Sequence, residues 1–368
     1  MESQVWFTDL RTSPKQNLYQ KLRKLMDAAG IKEVFEKRDL VALKLHFGEL
    51  GNTAYIRPVF LRQIADHIRE LGGNPFLTDA NTLYAGTRSD APSHLHTAIQ
   101  NGFSYAVVGV PLVIADGLRG KSETAVTINR KRFKEVYIAK EIDQADAFVS
   151  VAHFKGHELS GFGGAIKNTG MGSASRRGKL AQHSTVSPHI NEEKCIGCGE
   201  CTEHCSQSAL SLKDEKAVMD AGKCIGCGEC ILICPNSAIE IRWDQAIPVF
   251  LENMVEYTEG VLKNKKDKAF FINFLTSVSP ACDCYGHNDA AIVRDIGIVA
   301  SKDPVAIDQA SADLVNAEHA LPGTCLETHL KPGEDKFRGI YPKVDWGIQL
   351  EYAEKLGLGT RKYRMEKI

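Results

Sequence analysis

The amino-acid sequence predicts an α/β domain: a mainly parallel sheet with helices on both faces, interrupted by a small cysteine-dense insert. Three observations carry this expectation. Short apolar runs alternate with amphipathic helical stretches through the first half of the chain, and that alternation favours parallel strands covered on both sides. The rhythm stops over 190–242, which is rich in cysteine and poor in long apolar runs. It resumes after about residue 245. The expected organisation is therefore a first part over 1–188, the insert over 189–242 and a second part over 243–368.

The elements follow in order. Ser13 as N-cap, Pro14 at the first helical position and Gly30 as the stop predict a first helix. Leu18, Leu22, Leu25, Met26 and Ala29 form its apolar stripe. The run Leu40–Leu45 predicts a mostly buried strand. A helix is expected near 57–71, with Phe60, Ile64, Ile68 and Leu71 on one face and Gly72–Gly73 ending it. Pro75–Thr78 predicts a strand running into Asp79. Further strands are expected at Tyr105–Val110, Ala147–Ala152, Ala269–Leu275 and Ile296–Ala300, with a helix near 304–316 capped by Asp303. The β-rich stretch Thr124–Ile138 predicts a hairpin or an edge strand.

Composition narrows the function classes. The 368 residues are 43% hydrophobic and 25% charged, the balance of a soluble globular protein. A net charge of −1 argues against a broad nucleic-acid surface. No apolar run approaches the roughly 18 residues of a membrane span, and the N-terminal stretch lacks a signal-peptide core. The expectation is a cytoplasmic protein with no membrane partner. Eleven cysteines in a secreted chain would suggest disulfides, but most of these fall at metal-ligand spacing, which suits a reducing compartment.

Those cysteines form two copies of C-x2-C-x2-C-x3-C: Cys195, Cys198, Cys201 and Cys205, then Cys224, Cys227, Cys230 and Cys234. Three closely spaced thiolates wrap one cubane while the fourth reaches the other. Two [4Fe–4S] clusters are expected, one on Cys195, Cys198, Cys201 and Cys234, the other on Cys224, Cys227, Cys230 and Cys205. Gly197, Gly199, Gly226 and Gly228 let the backbone curl closely around them. Zinc-binding pairs are the alternative, but zinc needs no triple frame with an outlying fourth ligand. The segment resembles the two-cluster bacterial ferredoxins over about 189–242, with one departure: Pro235 follows Cys234, whereas Ser206 follows Cys205. The resemblance implies electron transfer, with a scaffold or oxygen-sensing use as the alternatives.

The second pattern lies outside the insert. Ligands of parallel α/β sheets bind beyond the carboxyl ends of the strands. Here those ends carry Lys44, His46 and Glu49; Asp79 and Asn81; His153, Lys155 and His157; Cys282, Asp283, Cys284 and His287; and Ser301 with Asp303. Each alone has an ordinary explanation, a solvated loop histidine or a helix cap. Their convergence on one edge predicts a shared site, with His46, His153, Lys155 and His157 binding substrate or moving protons.

Gly161–Gly172 is glycine-rich and contains Lys167 and Asn168, with Arg176, Arg177 and Lys179 following. Such a stretch suits a phosphate or carboxylate cofactor group, or is a flexible surface loop; it fits neither dinucleotide nor P-loop spacing. Cys282 and Cys284, with Asp283, His287 and the distant Cys325, could hold an additional metal, act as a redox pair, or be ordinary thiols.

At these residues the chain also resembles the uncharacterised iron–sulfur centre proteins of domain of unknown function 362. The resemblance rests on K-L-H-F-G-E-x-G-N at Lys44–Asn52, F-K-G-H and G-G-A-I-K-N within 154–168, and C-D-C-Y-G-H with D-I-G-I-V-A-S-K-D-P-V-A-I-D within 282–308. It implies an α/β domain with an embedded ferredoxin and supplies no reaction. The expected function is an iron–sulfur redox protein acting on a small anionic substrate or serving a redox partner protein. The alternative is an electron carrier or maturation partner that docks another protein. An enzyme should enclose His46, His153 and Lys155 in one pocket; a docking module should spread them over an open face.

Overall fold

Eight strands form one sheet: β1 (Ser3–Asp9), β2 (Leu40–Lys44), β3 (Asn74–Asp79), β4 (Leu112–Ile114), β5 (Ala147–His153), β6 (Ala269–Leu275), β7 (Gly297–Ser301) and β8 (Tyr363–Lys367). Their order across the sheet is β8-β1-β7-β6-β5-β2-β3-β4. The protein is described by a computed structural model over residues 2–183, 188–205, 207–224, 228–240 and 247–368. All neighbouring pairs are parallel except those of β7, which runs antiparallel to both β1 and β6.

Side chains alternate across this sheet because successive strand residues point to opposite faces. Phe270, Ile272 and Phe274 of β6 pack into one core with helices α1 (Leu18–Ala28) and α2 (Pro58–Glu70). Phe271 and Leu275 pack into the other. That second core holds α3 (Ala165–Gly170), α5 (Ile247–Leu262), α6 (Pro304–Asn316) and α7 (Gly347–Lys355). Between α3 and α5 lies α4 (Arg176–His183), which leads towards the cysteine-dense segment. The α/β sheet covered on both faces is as expected, and Glu123–Thr127 pairs with Glu135–Ala139 as a hairpin.

Several local expectations are corrected. Ser13 and Pro14 lie in a tight turn closed by pairing of Ser13 with Gln16. The helix starts later, where Asn17 and Gln20 satisfy each other's backbone N–H groups in a capping box. Tyr105–Val108 is one helical turn rather than a strand, and Gly109, at φ 71°, ends it; the strand follows at Leu112–Ile114. Ser301 and Asp303 leave the antiparallel β7 at the opposite edge from the other strand ends. There Asp303 caps α6 by accepting from the backbone of Val305 and Ala306.

Among the described residues the cysteine-dense segment contributes no strand to the main sheet. His189–Ile190 pairs with Ile239–Glu240, and Leu210–Lys213 pairs with Lys216–Met219. Its apolar interior joins Cys195, Cys201, Cys230, Leu210 and Ile239 with Leu83 and Leu180 from the main part. Among the described residues no helix is long and apolar enough to cross a membrane.

Candidate functional site

The carboxyl ends of β2, β3, β5 and β6 open onto one cavity of about 710 Å³. His46, His153, Lys155, His157, Lys167 and Asn168 all line it, with Cys282 and Cys284. Parallel pairing is what gathers them, since it brings the ends of these strands to the same edge.

Gly156 makes the closure of this cavity tight. Its N–H donates to the Ser279 carbonyl at 2.9 Å, and a Cβ at this position would stand 2.1 Å from the Pro280 carbonyl oxygen. Only glycine lets the 279–285 loop close on Lys155 and His157. Gly156→Ala is therefore expected to destabilise the protein by about 1–3 kcal/mol, as overpacking does. Urea denaturation checks the loss, and an unchanged midpoint would contradict the contact.

One half of the site is a buried charge network. The Lys44 ammonium lies 3.0 Å from Asp79 Oδ1 and donates to Asn168 Oδ1 at 3.0 Å. Arg88, 2% exposed, reaches Glu49 Oε2 at 3.1 Å and Asp79 Oδ2 at 3.4 Å. It also donates to the Tyr84 hydroxyl at 2.8 Å, and that hydroxyl donates to the Cys284 carbonyl at 2.9 Å. Burial pushes the Asp79 carboxyl up, but the Lys44 charge and His94 outweigh it and leave it well below the usual range. Burial lowers Lys44 despite its partner.

Histidine roles separate clearly. Burial holds His46 well below its ordinary pKa. Its Nδ1 accepts from the Gly48 N–H at 3.0 Å, so the neutral ring keeps its proton on Nε2. His153 Nδ1 faces both Asp283 oxygens, at 2.9 and 3.0 Å, and Nε2 faces the Thr276 and Ser277 carbonyls at 2.9 and 3.1 Å. Both nitrogens face acceptors, so each is satisfied only when it carries a hydrogen. The expectation that His153 binds substrate is corrected: the ring is committed to holding Asp283 and the 276–277 backbone. His157 Nδ1 accepts from the N–H groups of Leu159 and Ser160, each at 3.2 Å.

The other half centres on Cys282, whose thiol is pushed well below its ordinary pKa. The Cys284 thiol hydrogen-bonds its sulfur, and against the effect of burial Lys167, Lys155 and a hydrogen bond with His157 add to the shift. Lys167 Nζ lies 3.7 Å from that sulfur. Cys284 is pushed up, by the same hydrogen bond and by burial. Lys155 Nζ lies 3.3 Å from the His153 carbonyl and 3.7 Å from Asp283 Oδ2. Burial also pulls Lys179, another lining residue, down to about 8.

Asn168 differs from its expected role in orienting an anion. Its amide donates to the Lys44 carbonyl at 2.9 Å and to Ser150 Oγ at 2.8 Å, so it positions Lys44. Arg176 and Arg177 do not form a basic stripe with Lys179. Arg176 is buried and donates to the Thr82 carbonyl at 3.3 Å, and Arg177 lies 3.6 Å over the Tyr137 ring. Cys325 is exposed and does not line the cavity. Among the described residues no three His, Cys, Asp or Glu side chains stand close enough for a single ion. Arg88 and Tyr84 escaped the sequence reading, although both follow Asp79 in a strand-end loop where the same rule applies.

A second, much smaller hollow is lined by Cys195, Cys198, Cys201 and Cys234. Backbone N–H groups point at thiols here, Ala217 at Cys195 (3.4 Å) and Ala238 at Cys234 (3.1 Å), and outside this hollow Ala209 points at Cys205 (3.2 Å). Gly197, at φ 68°, could not carry a Cβ without striking the Glu215 carbonyl oxygen at 2.2 Å. Cys227 and Gly226 lie outside the described residues.

The family described as Domain of unknown function (DUF362) matches residues 41–313. The chain belongs to the DUF362 family. No curated protein matches it. Among solved structures, the lactate racemase apoprotein from Thermoanaerobacterium thermosaccharolyticum is similar at 14% identity and a TM-score of 0.37, over 75% of this chain and 51% of that one. A Thermotoga maritima protein is similar at 9% identity and a TM-score of 0.40, over 92% and 58%. The DUF362 chain thus covers little more than half the length of these two structures.

Within this DUF362 protein the cavity and the cysteine-dense segment share a wall. Leu83 lines the cavity and also packs in the apolar interior around the cysteines. A Cβ at Gly228, between Cys227 and Cys230, would stand 2.9 Å from Leu83 Cδ1. On α4, Lys179 and His183 face the cavity while Leu180 packs with the cysteines. Buried Glu229 fixes the junction through Arg119 at 3.1 Å, Lys121 at 3.3 Å and Arg176 at 3.4 Å.

Proposed function

We propose that this DUF362 protein is an iron–sulfur redox enzyme that passes electrons between two [4Fe–4S] clusters and a small anionic substrate in the strand-end cavity. The observation that carries the reading is the shared wall: Leu83 and α4 separate the cavity from the cysteines by the thickness of one side-chain layer. Cys195, Cys198, Cys201 and Cys234 would hold one cluster, and Cys224, Cys227, Cys230 and Cys205 the other. The donor set fits, since four thiols around a hollow with N–H groups aimed at sulfur suit a cubane better than a single ion. Bound clusters would supply one-electron transfer at low potential.

The chain's own residues would do the rest. Lys155, Lys167 and Lys179 would attract the anion, and His46 would present its Nε2–H to it. Enclosure of His46, His153 and Lys155 in one cavity favours this reading over an electron carrier that docks another protein across an open face. A separate redox protein in the reducing cytoplasm would exchange electrons with the clusters.

Anaerobically prepared protein is expected to carry about eight irons per chain, with a visible band that dithionite bleaches and acceptors restore. Failure of every acceptor to restore it would overturn the reading. The pH dependence follows from Lys179. Its folded pKa of about 8 lies below the ordinary value, so the ammonium is lost as pH rises through 8. Affinity for inorganic phosphate in the cavity should fall between roughly pH 7 and 9, and Lys179→Met should flatten that fall. Isothermal titration across this range checks both.

A further inference from the structure

The Cys282–Cys284 pair is left over once the cluster cysteines and the anion-binding lysines are assigned. Both thiols line the cavity, so a ligand there meets them. The two cysteines stand two residues apart on one loop. The Cys284 N–H also points at Cys282 Sγ, at 3.4 Å, and Lys167 Nζ approaches it at 3.7 Å. A thiol flanked by a cation, a backbone donor and a second thiol is arranged as a nucleophile with its resolving partner.

The geometry points to Cys282 and Cys284 as a redox-active dithiol that exchanges with small anionic disulfides in the cavity. Cys282, as thiolate, attacks one substrate sulfur; a Cys282–substrate disulfide forms and one substrate thiolate leaves. That thiolate takes the proton of Cys284. The Cys284 sulfur then attacks Cys282, and the second substrate thiolate departs. One Cys282–Cys284 disulfide has formed, the substrate disulfide has been reduced, and charge is conserved. Regenerating the starting thiolate and thiol consumes two electrons and one proton.

Those electrons require a low-potential one-electron donor used twice, and this clause alone rests on the proposed function, which places two such centres behind Leu83. The anionic class of disulfide follows from the wall: Lys155, Lys167 and Lys179 all line the cavity and favour a negative group there. His157 lines the same cavity.

The test treats full-length protein, kept anaerobic, with limiting dithiobis-nitrobenzoate, a small anionic disulfide. Mass spectrometry then reads the peptide carrying Cys282–Cys284, with exposed Cys325 as the internal reference. In the native sequence this peptide should become lighter by two hydrogen atoms and keep no adduct, ahead of any change at Cys325. Cys284→Ser should trap the nitrobenzoate adduct on Cys282, and Cys282→Ser should leave Cys284 unmodified over the same interval. A retained adduct on native Cys282, or reaction no faster than at Cys325, would overturn the inference, and the native result decides it even if a variant misfolds. Because the readout needs no iron, thiol exchange without iron binding would refute the cluster reading and leave this one standing.

Discussion

Arg88→Met is expected to destabilise the protein by about 3–5 kcal/mol, the usual cost of breaking a buried ion pair from one side. The guanidinium holds Glu49, Asp79 and Tyr84 together in the wall of the cavity. Among the described residues, removing it leaves Glu49 buried with only the Thr87 N–H, at 2.6 Å, the Thr87 hydroxyl and Tyr84 as partners. Asp79 keeps Lys44, so the larger penalty falls on Glu49. The double variant Arg88→Met/Glu49→Gln should therefore recover part of the loss, because the uncompensated charge is gone. Chemical denaturation of the two variants measures this. No recovery would mean that Arg88 acts through packing alone.

The second large effect concerns iron. Cys234→Ser should lower bound iron from about eight to about four atoms per chain, and the missing cluster should be that of the other motif. Cys234 follows Cys224 and Cys230 in sequence, yet it lines the hollow of Cys195, Cys198 and Cys201. Combining it with Cys195→Ser should cost no further iron, since both remove the same site. Combining it with Cys205→Ser should remove nearly all. Iron and acid-labile sulfide analysis of the three variants reads out this pattern, and additive loss in the first pair would contradict cross-ligation.

Much of the fold was legible because burial leaves a direct imprint on sequence. β6 matches its predicted span, Ala269–Leu275, since a strand covered on both faces is one continuous apolar run. Its neighbour β7 reads the same way, but an apolar run carries no sign of direction, so its antiparallel setting and the displacement of Ser301 and Asp303 could not be foreseen. Tyr105–Val108 has strand-forming residues, yet Gly109 and the exposure of Tyr105 fit a single helical turn.

The site was legible by the same rule of strand ends, which brought His46, Lys155, His157 and Lys167 to one cavity. What individual residues do there was not. His153 and Asn168 look like ligands in sequence, but their polar atoms are consumed by Asp283, the 276–277 carbonyls, Lys44 and Ser150. Apart from Asn168 with Ser150, 18 positions away, these pairings join residues more than 100 positions apart, and no local pattern encodes them.

The central claim is that electrons move between the cysteine-dense segment and the cavity. The measurement that tests it most directly is anaerobic stopped-flow re-oxidation of dithionite-reduced protein by a small anionic disulfide, followed at the iron–sulfur absorbance. The native protein should recover its absorbance, and Lys167→Met should slow recovery by about tenfold, the scale of one lost charge-assisted hydrogen bond. Equal rates in the two proteins would place electron exit on the outer surface of the cysteine segment and contradict the account.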